Sequence, residues 1–357
     1  LLQTIPKSFL TAIFSANGIP ITAQYDVKSY AVFYDTVTPD GLPTRASMAY
    51  VMPSGSSGPF PLVSYQHGTE FLTNKVASLK DGEYVLGLAF ASVGYVVSMP
   101  DYLGMGSGSG MHPYVHSRSE ATAAIDAIRA ARVLSQKFGV NLNGQLFLIG
   151  YSQGGQATMA LHKEIEAYHT NEFSITASAP MAGPYDMSGT MANIMTSDQP
   201  YGSPEFLPYT LFSYNYVYKI CNSPSEFLKE PYATNLPPLF NGKNSGSYIS
   251  SMMPSVPSQI FKPEFLNEFK SNQNHPFRIV LRANDLYNWT PIAPMRMYHC
   301  HSDTTVFYAN SEVALASFHN RGATNILLID PYPQGTHSSG SSYCFLAAFQ
   351  WFETLKL

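Results

Sequence analysis

The chain has 357 residues, 45% of them hydrophobic and 12% charged, with a formal net charge of −4. That balance excludes a disordered or coiled-coil chain, and the lack of a basic excess disfavours nucleic-acid binding. The longest uncharged apolar stretch, 85–99, contains Gly87 and Gly94 and falls short of the roughly 18 residues of a spanning helix, so no membrane span is expected.

The chain begins Leu1-Leu2-Gln3 with no charged-then-apolar leader, which suits a mature product of export. Alternating apolar and polar residues over 25–52, broken by a turn at 38–43, predict an antiparallel hairpin at the edge of a sheet. A Gly/Ser/Pro loop leads to a buried strand over 62–65, which ends in Gln66-His67-Gly68-Thr69. A helix within 81–92 and a strand over 95–98 follow, closed by Pro100-Asp101-Tyr102-Leu103-Gly104. The glycine-rich 104–110 opens no helix and lacks the lysine of a phosphate-binding loop, so it reads as a mobile surface loop. Ser117 and Glu120 have capping-box spacing, and Ile125, Ile128, Ala131, Leu134 and Phe138 carry a long crossover helix to Gly139. A strand over 145–149, a helix to about 168 and a strand over 174–179 continue the β-α-β order. This implies an α/β fold with a mainly parallel sheet and helices on both faces.

The alternation stops after Asp186. Residues 187–290, dense in Pro, Asn, Ser and aromatics, far exceed the usual connection of roughly 2–6 residues and predict an inserted domain. It reads as a lobe with its own core, as a cap whose aromatic underside shapes a pocket, or as both. Strand 295–301, helix 310–320, strand 325–329, a loop holding His337 and a helix over 343–355 then resume the order. Residues 1–186 and 291–357 are therefore expected to form the core.

Gly150-Tyr151-Ser152-Gln153-Gly154 falls on a strand-to-helix junction. Such a turn lifts Ser152 clear of the sheet, and a Cβ at either flanking glycine would clash as the backbone reverses. The helix N-terminus beside it favours a developing oxyanion. A serine hydroxyl needs a base to take its proton, and an imidazole needs a third group to fix its tautomer. His337, in the small-residue loop 335–339, is the expected base; His67, His299, His301 and His319 read as packing or hydrogen-bonding residues. Asp303, one helix and one strand before His337, is favoured as the acid over Asp330 and Asp285. The N–H groups of Gln153 and Thr69 are the expected oxyanion donors, with Gly68 able to aim the second. Period-2 spacing of His299, His301 and Asp303 would put all three on one strand face as metal ligands, but Thr304 stands where a binuclear site needs histidine. No metal or other cofactor is expected. Cys300 and Cys344 are either a disulfide pair or separately buried thiols, and Cys221 is left over.

These features resemble an α/β-hydrolase, and more narrowly the secretory lipase and lipase-A-like esterases. The matching stretches are Tyr65-Gln66-His67-Gly68-Thr69, Pro100-Asp101-Tyr102-Leu103-Gly104, the helix over 120–132, Gly150-Tyr151-Ser152-Gln153-Gly154-Gly155, the long insert, Asn284-Asp285 with Trp289, and His301-Ser302-Asp303. The resemblance implies hydrolysis of a small-molecule carboxylic ester by a Ser152-Asp303-His337 triad, a lid over 187–290 and export, with Tyr151 and Asp101 in supporting places. A lipase and an esterase of acylated polysaccharide are the leading readings; a serine peptidase or a metal-dependent hydrolase is less favoured. The chain departs from the family pattern over 297–301, where His and Cys stand in place of an expected glycine.

Overall fold

A computed structural model describes residues 1–357. Nine strands form one sheet: β1 (Gln3–Ile5), β2 (Asp26–Val37), β3 (Pro43–Ser54), β4 (Phe60–Gln66), β5 (Val96–Pro100), β6 (Leu142–Tyr151), β7 (Ala177–Met181), β8 (Met295–Tyr298) and β9 (Ile326–Ile329). Their order is β1-β2-β3-β5-β4-β6-β7-β8-β9. Pairings from β1 to β5 through β2 and β3 are antiparallel, and the rest are parallel. The β2–β3 hairpin was expected at the edge, but the three-residue β1 pairs outside β2. So short a segment carries no readable period.

Strands β4, β5 and β7 are buried at every position because both faces are covered. Val63 and Tyr65, Val97 and Met99, and Phe147 and Ile149 point into one core with α1 (Lys7–Ala16), α2 (Tyr84–Ser92) and the C-terminal helix. Their neighbours Leu62, Val96, Leu146 and Leu148 point into the other, under α3 (Ser117–Lys137) and α4 (Gln153–Tyr168). This is the period of two that a strand imposes. Fully burying each such aliphatic or aromatic side chain stabilises the fold by about 1.5–3 kcal/mol.

Between β7 and β8 the chain is helical: α5 (Ala192–Met195), α6 (Phe206–Tyr218), α7 (Tyr232–Asn235), α8 (Gly246–Ser251), α9 (Pro263–Ser271) and α10 (Pro276–Ala283). Phe227, Phe261, Phe265, Phe269 and Phe277 lead a separate apolar cluster there. Then come α11 (Ala309–Asn320) and α12 (His337–Leu355). No helix is long and apolar enough to cross a membrane.

Several local expectations give way to tertiary contacts. Helix α3 is capped by the His116 side chain, which accepts from the Ser119 N–H, and not by a Ser117/Glu120 box; Glu120 is drawn inward to Gln153 instead. Residues 104–110 are partly buried and pinned rather than a free surface loop: the Gly106 N–H donates to Thr73 O at 2.8 Å and the Ser107 N–H to Ser47 Oγ at 3.0 Å. Strand β8 stops at Tyr298, short of the expected 301, and further on Asp303 Oδ1 gathers the N–H groups of Thr305 and Val306 into a tight turn.

Candidate active site

Ser152 occupies the turn from β6 into α4 with φ 61° and ψ −123°, a region costly for any residue with a Cβ, at roughly 1–3 kcal/mol. Close packing holds it there. A Cβ on Gly150 or Gly154 would overlap Gln66 O, and one on Gly155 would overlap Met181 O. The elbow is thus pressed against β4 on one side and β7 on the other, and the Ser152 N–H donates to Met181 O at 2.9 Å. Ser152 itself is 9% exposed.

His337 is not in a loop. It is the first residue of α12, whose capping box is Thr336 with Ser339. The run of Ser and Gly after it looked irregular, yet Gly340 lies within the helix because any side chain there would strike Cys300 Sγ. The structure brings three expected residues together. Ser152 Oγ–H donates to His337 Nε2 at 2.8 Å, and His337 Nδ1–H donates to Asp303 Oδ2 at 2.5 Å. Tyr151 Oη–H donates to His337 O at 2.7 Å and so steadies the first turn of α12. Burial pushes the Asp303 carboxyl up, but hydrogen bonds from His299 and His337, and their charge, outweigh it and hold it at about 2. The alternatives are occupied elsewhere: Asp330 accepts from the His301 and Tyr332 N–H groups, and Asp285 from Ser188.

Gln153 is the first residue of α4, where helical geometry leaves an N–H without an intrahelical partner. Its side chain turns backward, donating to Glu120 Oε1 at 2.7 Å and to His112 Nε2 at 2.6 Å. Burial lowers His112 to about 3, so it is neutral, with Nδ1–H donating to Leu103 O. Across the elbow, the Gly68 N–H donates to Glu83 Oε2 at 3.2 Å, and Thr69 Oγ1 lies 3.1 Å from Tyr114 Oη. Asp101 does not touch Ser152 or His337. It accepts from Ser47 Oγ and the Ser78 N–H, while its carbonyl lies 3.2 Å from His67 Nε2, so it braces the loop that carries Gly68.

A cavity opens on Ser152 and Gln153, with Met187, Met191, Met195, Phe206, Leu207 and Leu281 in its walls. Tyr201 also lines it, whereas Tyr216 and Tyr248 of the same insert face solvent. The disfavoured arrangement of His299, His301 and Asp303 on one strand face has no strand to carry it: His299 and His301 lie beyond the end of β8, and the His301 ring packs on Tyr308. Cys300 and Cys344 are free, fully buried thiols that face each other.

From the sequence His112 and Glu120 carried no place in the site, and His299 read only as a packing or hydrogen-bonding residue. Glu120 had one signal, a carboxylate at helical spacing in the small and apolar stripe of Ala124, Ile128 and Ala131.

A mainly parallel sheet with a serine elbow at its centre defines the class: this is an α/β-hydrolase. The family model described as secretory lipase matches residues 71–192. Among solved structures, LipA of Xanthomonas oryzae, described as a rice cell wall degrading esterase, aligns at 33% identity with a TM-score of 0.85, covering 98% of this chain and 94% of that one. A Legionella pneumophila protein aligns at 27% identity with a TM-score of 0.92, covering 99% and 96%. Candida antarctica lipase A shares the fold at 18% identity and a TM-score of 0.70, covering 99% and 80%. No curated protein matches the chain. The chain belongs to the secretory lipase family, and it is a serine hydrolase of carboxylic esters.

Proposed function

We propose that Ser152, His337 and Asp303 are the catalytic triad, that the Gln153 and Thr69 N–H groups form the oxyanion hole, and that residues 187–290 are a cap holding the acyl chain. The observation that carries this is the unbroken Ser152–His337–Asp303 hydrogen-bond chain. Ser152 Oγ attacks the ester carbonyl carbon while its proton passes to His337 Nε2. Nε2 then gives that proton to the departing alkoxide, leaving an acyl group on Oγ. A water attacks the acyl carbon, Nε2 takes its proton and returns it to Oγ, and the acid leaves. Asp303 keeps Nδ1–H pointed at itself and stabilises the imidazolium, which a carboxyl held near 2 does at every working pH. Donors aimed at the developing oxyanion contribute on the order of 3–4 kcal/mol each.

The cavity walls favour an acyl chain over a polar group, since methionine and leucine side chains offer no hydrogen bonds to a sugar. A second reading, an acylated cell-wall polysaccharide as substrate, has the description of the 33% identical LipA in its favour. In that case the acyl group still occupies the cavity and the sugar leaves as the alcohol. Export fits both readings. A panel of p-nitrophenyl esters from acetate to palmitate, run beside acetylated and feruloylated sugars, separates them. The acyl-lipid reading requires a maximum at chains longer than acetate; preference for the sugar esters would replace it with the second. Full turnover by Ser152→Ala would end both.

A further inference from the structure

Behind the triad lies a second histidine that the reaction scheme leaves unused. His299, fully buried just past β8, has Nε2 2.8 Å from Val306 O and 3.2 Å from Asp303 Oδ2. A carbonyl oxygen can only accept, so Nε2 carries a hydrogen, while Nδ1 lies 2.8 Å from Ser311 Oγ. Nε2 is therefore a fixed donor, and the ring is held by Ser311 of α11 on one side and by the turn after β8 on the other. Asp303 Oδ2 in turn is shared between two imidazoles, His299 and His337.

We propose that His299 is a positioning residue for ester hydrolysis, which holds Asp303 Oδ2 against His337 Nδ1 and moderates the carboxylate's pull on that proton; this rests on the triad reading above. The geometry gives two reasons. Val306 N–H and Thr305 N–H anchor the carboxylate through Oδ1, and His299 is the one donor besides His337 itself that reaches Oδ2, adding a second hold on the oxygen that faces His337 Nδ1. A donor on the carboxylate also withdraws charge from it, so the imidazole keeps its proton less tightly.

Other ionisable groups near Asp303 cannot substitute. Tyr151 and Tyr201, from β6 and the insert, and the Cys300 and Cys344 thiols are all pushed up by burial and are uncharged at assay pH. Tyr308, against the His299 ring, is raised by burial as well.

The test measures kcat, KM and the pH profile of kcat/KM from about pH 5 to about pH 9 for His299→Phe, His299→Gln and Ser311→Ala, with thermal unfolding of each. His299→Phe should lower kcat by about 10- to 100-fold with KM within about twofold. Its acid limb should move up by about half to one pH unit. His299→Gln keeps an N–H donor near the Nε2 position and should recover most of the loss. Ser311→Ala should move the limb the same way by less. An unmoved acid limb in a folded His299→Phe, or Gln no better than Phe, would overturn the proposal. If His299→Phe does not fold, an unmoved limb in both His299→Gln and Ser311→Ala decides against it. Ser152→Ala separates the two ideas: if it is inactive and the His299 limb stays put, only His299 positioning fails; if it is active, the triad reading fails first.

Discussion

Asp303 receives four donors: Thr305 N–H and Val306 N–H on Oδ1, His299 and His337 on Oδ2. That count explains how a carboxylate with no exposed side-chain surface remains ionised against the cost of burial. It also ties the residue to acid stability. Its folded value of about 2 lies below the ordinary 3.8, so its contribution is complete above the unfolded value and is lost as pH falls from about 4 to about 2. The stability difference between the native protein and Asp303→Asn, measured by urea unfolding, should therefore be largest above about pH 5 and shrink towards pH 2. A gap that stays constant over that window would remove the carboxylate's charge from the explanation. At the same scale the elbow at 150–154 was legible from the sequence, because backbone reversal at a strand-to-helix turn restricts residue type directly. His299 was not. A histidine beside a strand end carries no local mark of whether it meets a carboxylate or only packs, and the distinction depends on a turn that closes four residues later.

At the scale of elements, α3 and α4 meet through the polar cluster of Glu120, Gln153 and His112 in an otherwise apolar interface. Burial raises the Glu120 carboxyl well above its ordinary range, partly offset by Gln153 and the Val115 N–H, and its Oε2 has no protein partner. A raised carboxyl destabilises the fold increasingly as pH rises above the unfolded value of about 4.5. Glu120→Gln should thus raise stability by on the order of 1–3 kcal/mol near pH 8 and by much less near pH 4. Equal stability at both, followed by urea unfolding, would count against a buried carboxyl as the cause. The start of α12 shows why element ends were harder to read than their centres. Serine and glycine around His337 suggested a loop, whereas the helix needs glycine at 340 to admit the Cys300 thiol. In the insert, Leu207 lies in the cavity wall near the start of α6. Leu207→Trp should cut kcat/KM for octanoyl and longer esters by about tenfold or more while acetate changes little. A uniform loss across chain lengths would place the acyl group elsewhere.

For the molecule as a whole, function follows from where the strand order reverses. Strand β4 has β5 on one side and β6 on the other, so the loops leaving β4 and β6, which carry Gly68 and Ser152, face each other across one crevice. The parallel core and both helical layers were readable because double-sided burial writes itself as continuous apolar strands alternating with amphipathic helices. Between β7 and β8 no such period exists: the helices there are short and pack through aromatic side chains drawn from distant turns, so the sequence announced an insertion and its composition but not its helices. The most direct measurement of the central claim is capture of the acyl-enzyme. Protein mixed with p-nitrophenyl butyrate and quenched in acid within the first turnover should gain one butyryl group by intact mass, on the peptide containing Ser152, and Ser152→Ala should gain none. A butyryl group found on another residue, or steady hydrolysis by Ser152→Ala with no adduct, would contradict it.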